Sequence, residues 1–423
     1  MTLTLFSIFI VLMILRVPIA ISLSLSTIFV LLQSNFNMNM VPQRMFSALD
    51  SFPLMAIPGF VLAGVILARG GISKYLIESL RTWVGHLPGG LSVVTVLACM
   101  IFAAISGSSP ATAAAIGSIM IPAMVSAGYD KKYAMGLVAA SGTLGILIPP
   151  SIPLIIYGIT AEESIGKLFM AGVIPGLLLG GVLIVSAIYY ARKYGYGKDE
   201  KASMEVRMKS TIKALWGGFL PILILGSIYT GIATPTESAV IAVVYGLIVS
   251  VVIYREMGLK DVRPILVETI SITSMIFLIM AAASLFGLYL TNEQVPQGVG
   301  AWIAESNMNK WVFFIIVNVL FFIMGTFLEA VSIILITLPI LLPILKHLNI
   351  DLIHFAIVMT VNMELAMITP PVGLNLFVVG GIAKEKLEVV VRGVAPFIVL
   401  FILVLAFLVL VPQISLWLPT MMQ

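Results

Sequence analysis

Two breaks in the apolar sequence of the first half carry residue types that can bind small ions. One is the run from Ser106 to Pro110 with Thr112, and the other runs from Thr143 to Ser151. Proline lacks an amide hydrogen and biases the residue before it away from the helical region, so Pro149-Pro150 leaves nearby carbonyl oxygens without their usual partners. Free carbonyl oxygens bind cations, whereas the amide hydrogens of a helix that starts near Pro110 suit an anion.

The second half repeats these breaks in the same order. A proline, a glycine and a Pro-Pro pair follow one another at intervals of 89 and 42 residues in the first half, and of 90 and 45 in the second. Transporters built from repeats leave such weak internal symmetry. The counterparts are Gly325, Thr326 and Leu328 at one break and Ala366, Thr369, Pro370, Pro371 and Asn375 at the other. We expect the breaks to meet near the midplane of a membrane; the alternative is that they are packing glycines and helix kinks.

Two acids, Glu329 and Glu364, lie within otherwise apolar stretches. An ionised side chain is costly inside a membrane, so a functional role is the first hypothesis for each of them. Glu329 follows the break at Gly325, where its carboxylate could stabilise a cation or carry a proton. Glu364 is equally well explained as an acid that is partnered by the backbone or faces a crevice.

Other kinds of chemistry find no support in the sequence. His86, His347 and His354 are not spaced as zinc ligands, and Cys99 is the only cysteine. There is no phosphate-binding loop of the type G-x-x-x-x-G-K-[ST] and no recognisable pair of nucleophile and base. We therefore predict that the chain is not an enzyme, hydrolyses no ATP and uses no cofactor.

Membrane-spanning helices are the elements that must position these residues. Of the 423 residues 60% are hydrophobic and 10% are charged, against roughly 25% charged in soluble domains. Several uncharged runs reach the roughly 20 residues that a helix needs to cross a bilayer. Because unpaired backbone groups cannot face lipid, this composition predicts an all-α polytopic membrane protein rather than a barrel.

Each half is expected to contain three crossings and one helical hairpin that enters and leaves the membrane on the same side. The hairpins are predicted at 89–127 and 311–345, and the crossings with the Pro-Pro pairs are predicted as broken helices at 133–160 and 355–381. Two spans between the halves make the second repeat start on the opposite side from the first. The repeats are therefore predicted to be inverted.

A polar linker at 192–213 divides the first half, 1–191, from the second half, 214–423, which ends in a span at 393–418. With this topology 19 of the 23 lysines and arginines fall on one side, together with an amphipathic helix predicted at 73–87. Cations gather on the cytoplasmic side, so the linker is predicted to be cytoplasmic and the C-terminus periplasmic. The net charge of +4 is explained by this orientation, and we predict no nucleic-acid partner.

Four motifs resemble those of a known family. They are GSSPATAAAIGSIMIPAM at 107–124, LIPPSIPLIIYG at 147–158, ATPTESA at 233–239 and ITPPVGLNLFVV at 368–379. Over essentially its whole length the sequence resembles the large membrane subunit of tripartite ATP-independent periplasmic (TRAP) transporters. It looks closest to members that take up sialic acid.

This resemblance implies an elevator-type ion-transporter fold, in which an inverted-repeat transport domain with two re-entrant helical hairpins moves against a scaffold. It implies symport of a carboxylate, such as sialic acid, with sodium as the coupling ion, in a bacterial inner membrane. It also implies two partners, a small four-helix membrane subunit and a soluble periplasmic binding protein that delivers the substrate.

The resemblance further implies where the ions and the substrate bind. One sodium site would use Ser106, Gly107, Thr143, Gly145 and Ile148, and the other Gly325, Leu328, Ala366 and Thr369. The substrate would lie between the hairpin tips, near Ser108, Ser109, Thr112, Ser151 and Asn375.

Two other functions compete with this one. A stand-alone sodium-coupled dicarboxylate symporter or exchanger of related fold would need no delivery protein. A non-transporting membrane scaffold would use the Gly and Pro breaks only as kinks, and a bulky residue at Gly107 or Gly325 would then leave uptake intact.

Overall fold

The computed structural model describes residues 1–34, 36–196, 199–305 and 308–421, and this part of the chain is helical without any strand. The helices are α1 Thr2–Ile14, α2 Ile19–Gln33, α3 Met40–Ser47, α4 Ala56–Arg69, α5 Ile72–Val84, α6 Gly90–Ser106, α7 Ser109–Ser126, α8 Lys131–Gly142, α9 Ile152–Ala161, α10 Ile165–Tyr194, α11 Met204–Tyr229, α12 Pro235–Leu247, α13 Leu259–Asn292, α14 Val295–Glu305, α15 Lys310–Gly325, α16 Ala330–His347, α17 Leu352–Met367, α18 Leu374–Ala383, α19 Leu387–Leu410 and α20 Gln413–Thr420. Short 3-10 helices at Phe52–Met55 and Thr143–Ile146 precede α4 and follow α8, and a π-helix at Ile248–Ile253 follows α12.

Among the described helices, eight are long and apolar enough to cross a membrane. The most apolar of them is α19, with a mean hydropathy of 3.0. Helices satisfy their own backbone polar groups, which is why lipid admits them. The predicted all-α polytopic membrane fold is confirmed.

A block of four helices occurs twice along the chain. In each block a helical hairpin, α6–α7 or α15–α16, precedes a broken helix, α8–α9 or α17–α18. The broken helices begin alike, because an aspartate side chain caps the first amides of both α8 and α17. A separation of 221 residues recurs at three pairs: Ser108 and Glu329, Asp130 and Asp351, and Pro149 and Pro370. The blocks form an internal structural repeat, while the division at 192–213 and the orientation in the membrane remain predictions.

Helices of the two halves of the chain pack against each other. α8 packs on α19, α7 on α18 and α9 on α16. At the α8–α19 crossing Gly136 faces Gly393, and a Cβ on either residue would overlap backbone of the other helix. Only glycine allows the two backbones to approach this closely.

The cation-rich face is held by ion pairs around α5, which packs on α11. Arg81 on α5 forms a bidentate pair with Asp199, and the amide of Asp199 donates to the carbonyl of Gly85 at 3.0 Å. α10 and α11 extend into the predicted linker and leave 195–203 between them, of which Gly197 and Lys198 lie outside the described residues.

On the same face Lys74 and Tyr75 donate hydrogen bonds to Glu256 at 3.0 and 2.9 Å. These bonds lower the pKa of the Glu256 carboxyl, and the bond to Glu256 raises the pKa of Lys74. The three residues tie α5 to the loop before α13.

Candidate functional site

The tip of the first hairpin docks on the first helix break. Gly107, between α6 and α7, has a φ of +61°, a left-handed conformation that glycine adopts without strain. Its carbonyl accepts a hydrogen bond from the amide of Ile152 at 3.5 Å, and a Cβ at Gly107 would lie 2.8 Å from the carbonyl oxygen of Pro150. The tip and the break therefore form one unit.

Three oxygen atoms converge behind this tip. The hydroxyls of Ser106 and Thr112 lie 2.8 Å apart, and the carbonyl of Ser108 accepts from Thr112 at 2.9 Å and from Ser106 at 3.3 Å. Gly145, in the 3-10 helix, lies against this cluster, because a Cβ there would be 2.5 Å from the carbonyl oxygen of Ser108. Oxygens from hydroxyls and unwound backbone are the ligand type that sodium uses in transporters.

The remaining members of the first predicted sodium site point elsewhere in this conformation. The hydroxyl of Thr143 donates to the carbonyl of Ala140 near the end of α8 at 2.8 Å. The side chain of Ile148 packs against Gly176 of α10. The structure thus brings Ser106 and Gly145 together, and Ile148 faces the neighbouring helix with its side chain.

The tip of the second hairpin docks on the second break in a related way. The carbonyl of Thr326 accepts a hydrogen bond from the amide of Val372, just after Pro370-Pro371, at 3.2 Å. Gly325 lies so close to Ala366 of α17 that a Cβ would overlap the side chain of Ala366. Both residues belong to the second predicted sodium site.

The other two members of that site use their polar groups locally. The hydroxyl of Thr369 donates to the carbonyl of Leu365 at 2.7 Å, and the amide of Leu328 donates to the carbonyl of Met324 at 2.8 Å. Each of these two hydrogen bonds therefore joins residues that are four positions apart in the same segment.

Both hairpin tips line one small cavity of about 40 Å³. Ser108 and Glu329, the N-cap residues of α7 and α16, face it from the two tips. The Glu329 side chain makes no capping bond to its helix. Ile272 and Ile276 of α13 also line the cavity, so a helix outside the repeated blocks contributes to its wall.

Only part of the predicted substrate set reaches this cavity. Ser108 and Ser109 line it, whereas Thr112, Ser151 and Asn375 do not. Asn375 instead accepts from Ser109 and donates to Ala139, and the Ser151 hydroxyl donates to the carbonyl of Ile146 within the break.

The cavity also contains residues absent from the predicted set. The position of Glu329 in an apolar stretch marks it as a candidate, and the structure places it in the cavity wall. Ile272 and Ile276 have no distinguishing signal, because they are ordinary apolar residues of a long helix.

Glu364 lies on α17 and away from the cavity. Its side chain is fully buried, and neither carboxylate oxygen has a hydrogen-bond partner. Within the described residues no group of three or more histidine, cysteine or acidic side chains is arranged to hold a metal ion.

Comparisons with known proteins agree with this architecture. The family model described as "Tripartite ATP-independent periplasmic transporter, DctM component" matches residues 6–414. The chain is 44% identical over 390 residues to a C4-dicarboxylate TRAP transporter large permease protein of Pseudomonas aeruginosa. The aligned region covers 92% of this chain and 91% of that protein. It is 35% identical over 391 residues to a sialic acid TRAP transporter large permease protein of Vibrio cholerae, covering 92% of each.

A solved structure shares the fold. The YdaH transporter of Alcanivorax borkumensis superposes with a TM-score of 0.65 over 88% of this chain and 87% of that one. At 16% sequence identity this likeness concerns the fold alone.

Proposed function

The chain belongs to the family of the DctM component of tripartite ATP-independent periplasmic transporters, and from this premise we propose that it moves a carboxylate across the membrane together with sodium ions. It is a multi-pass membrane protein and a transport subunit rather than an enzyme. The observation that supports the proposal is the cavity between the hairpin tips, which has a helix start on one side and a carboxylate on another.

The start of α7 suits the carboxylate of a substrate. Ser108 and Ser109 line the cavity there, and the first amide hydrogens of a helix have no partner within the helix. Glu329 carries charge of the same sign as a substrate carboxylate, so direct contact between them would be repulsive. We therefore place the substrate carboxylate at α7 and a cation or a hydrogen-bond donor at Glu329.

The size of the cavity requires a conformational change. A water molecule needs roughly 10–15 Å³ of such space, so a cavity of about 40 Å³ holds a few water molecules at most. A carboxylate with several carbon atoms enters only if α13 and the hairpin tips separate. This supports the elevator motion, in which the repeated blocks move against the remaining helices.

The coupling ions are proposed at the two docked tips. Ser106, Ser108 and Thr112 offer three oxygens beside Gly145, and the second tip docks on α17 through Gly325. A sodium ion between each tip and its break would lock the pair together and couple its position to the ion gradient.

Two substrates are proposed as candidates. The sequence resemblance predicts sialic acid, whereas the relative that is 44% identical is named a C4-dicarboxylate transporter and the one that is 35% identical is named a sialic acid transporter. Both substrates carry the carboxylate that α7 suits, so uptake of each must be measured.

The partners follow from the tripartite description of the family. We propose a small four-helix membrane subunit and a periplasmic binding protein, with the chain in a bacterial inner membrane and its C-terminus in the periplasm. The stand-alone sodium-coupled symporter is the second candidate, and it differs from the first in needing no binding protein for uptake.

The test is uptake into proteoliposomes that contain the chain and its candidate small subunit. Labelled succinate and labelled sialic acid are each supplied with and without an inward sodium gradient and with and without the candidate binding protein. Uptake that requires both the gradient and the binding protein supports the tripartite proposal. Sodium-driven uptake without the binding protein supports the stand-alone symporter, and uptake that ignores sodium contradicts ion coupling.

A further inference from the structure

A second, larger hollow lies on the side of α10. It is a groove of about 780 Å³ between α10 and α19, and it shares no lining residue with the cavity between the hairpin tips. Eight residues of α10 between Leu177 and Tyr190 line it, together with Pro396 and Leu400 of α19. Gly181 leaves its floor open, because a Cβ there would meet no atom within 4 Å.

The groove is apolar along its length and open to the outside. Leu177 and Val185 expose 57% and 68% of their surface. The hydroxyl of Ser186 donates to the carbonyl of Leu183 on its own helix at 2.8 Å, and the other polar side chains of the lining are Tyr189 and Tyr190 at one end. A hydrocarbon chain is the occupant that such a lining suits.

The length of the groove matches the depth of one leaflet. At 1.5 Å per residue the stretch from Leu177 to Tyr190 rises by about 20 Å. Half of a hydrocarbon core of about 30 Å is roughly 15 Å. An acyl chain that enters at the membrane surface would therefore fill the groove.

Basic side chains from both walls surround one end of the groove. On α10 Lys193 follows Tyr189 by one helical turn, and its Nζ lies 5.9 Å from the centre of the Tyr189 ring and 5.6 Å from that of Tyr194. Arg192 is beside it, and Arg392 precedes Pro396 by one turn on α19. This end belongs to the cation-rich face that the sequence predicts to be cytoplasmic.

The charges of these three residues are available to a ligand. Arg192, Lys193 and Arg392 are exposed, and none forms an ion pair with a described residue. Lys131 differs from these three residues, because its Nζ forms an ion pair with Oε1 of Glu385 at 2.7 Å. Tyrosines at the same level, such as Tyr189 and Tyr190, are typical of the interface between lipid tails and head groups.

We propose that this groove binds an anionic phospholipid, with an acyl chain between α10 and α19 and its phosphate at Arg192, Lys193 and Arg392. A soluble anion would use the three cations and leave the apolar groove empty. A zwitterionic lipid would fill the groove and gain little from the cations. The combination of both features favours an anionic lipid, and the site goes beyond the proposed transport function.

The test is binding of two lipids with identical chains, phosphatidylglycerol and phosphatidylcholine, to the purified full chain by native mass spectrometry. We expect phosphatidylglycerol to bind about ten-fold more tightly, since its head group carries a net negative charge, whereas the choline of phosphatidylcholine balances the charge of its phosphate. The triple variant Arg192→Gln, Lys193→Gln, Arg392→Gln should lose this preference and still bind phosphatidylcholine. A matched triple variant, Lys209→Gln, Lys260→Gln, Arg263→Gln, removes three exposed cations elsewhere and should keep the preference.

The position of the acyl chain is tested separately. Gly181→Leu fills the groove and should lower binding of both lipids, whereas Gly226→Leu, at another glycine with open space, should lower neither. Equal binding of the two lipids, or an unchanged preference in the first triple variant, overturns the proposal. The variant Val185→Cys gives a further test by alkylation of its new thiol. If the small subunit slows this alkylation and phosphatidylglycerol does not, a protein covers the groove and the proposal is overturned.

Discussion

The hydroxyl of Ser109 donates a hydrogen bond of 3.1 Å to Oδ1 of Asn375, which lies in the other repeated block. Nδ2 of Asn375 donates onward to the carbonyl of Ala139 at 3.0 Å. The side chains of Ser109 and Asn375 are fully buried, so water cannot replace either bond. One amide thus joins the start of α7, the end of α8 and the start of α18.

Loss of this amide is expected to destabilise the fold. Asn375→Leu leaves the Ser109 hydroxyl and the Ala139 carbonyl unpartnered, at a cost of about 1–3 kcal/mol for each buried group. Ser109→Ala removes one donor and should lower the free energy of unfolding by about 1–3 kcal/mol. Thermal unfolding of the purified chain measures both effects. Ser118→Ala, on the exposed face of α7, is the control. An equal decrease in the melting temperature of that variant would show that the buried bonds of Asn375 do not stabilise the fold more than an exposed one.

Gly145→Ala is expected to lower sodium-driven uptake. The added Cβ would lie 2.5 Å from the carbonyl oxygen of Ser108 and 2.8 Å from the Thr112 hydroxyl, so the 3-10 helix must move away from the oxygen cluster. Sodium-driven uptake should fall at least about ten-fold, because overpacking of about 1–3 kcal/mol acts at the proposed ion site. Gly226→Ala adds the same methyl group in open space and should transport normally. Full uptake by the Gly145 variant would rule out a sodium site at this tip.

Glu329→Gln is expected to lower uptake without unfolding the chain. The change keeps the size of the side chain but removes the negative charge from the cavity wall. If the carboxylate binds a cation or a proton, the uptake rate falls about ten-fold or more, since charged groups inside a membrane are costly without a function. Glu388→Gln, at an exposed position of α19, is the control. Uptake equal to that of the parent chain would assign Glu329 a structural role.

The contribution of Glu256 to stability is expected to depend on pH. Because the folded-state pKa of Glu256 is lowered, its contribution is present above the ordinary pKa of 4.5 and is lost as the pH falls through the lowered value. The raised pKa of Lys74 means that its contribution is present below 10.5 and is lost as the pH rises through the raised value.

Glu256→Gln therefore tests the bond at the acidic end. The variant should melt slightly below the parent chain between about pH 6 and pH 9, by an amount worth less than about 1 kcal/mol because the pair is partly exposed. The difference in melting temperature should shrink as the pH falls below 4.5 and vanish once the pH is below the lowered pKa of Glu256. A difference that persists in acid would mean that packing, rather than charge, accounts for it.

The fold follows from the sequence because lipid permits few alternatives. The uncharged run predicted as a broken helix at 133–160 corresponds to α8, a 3-10 helix and α9, and Pro149-Pro150 lies in the break before α9 begins at Ile152. Boundaries are less accurate where charged residues continue a helix into water. α10 and α11 thus extend into the predicted polar linker at 192–213.

The site follows from the sequence only at the level of segments. Glycines and prolines mark the hairpin tips and breaks, but the side chains that face the cavity depend on packing between helices distant in sequence. Asn375 turns to Ser109 rather than to the cavity, and Ile272 of α13 completes the wall. Nothing near Ile272 in the sequence distinguishes it from its apolar neighbours.

The crossing of Gly136 and Gly393 restricts how the gene can change over generations. Any side chain at either position would overlap backbone of the opposite helix. A substitution at one glycine therefore cannot be compensated at the other, because no residue is smaller than glycine. A lineage cannot move away from this pair stepwise. In a deep mutational scan selected for growth on the transported substrate, both positions should tolerate no replacement, although they lie 257 residues apart in the chain.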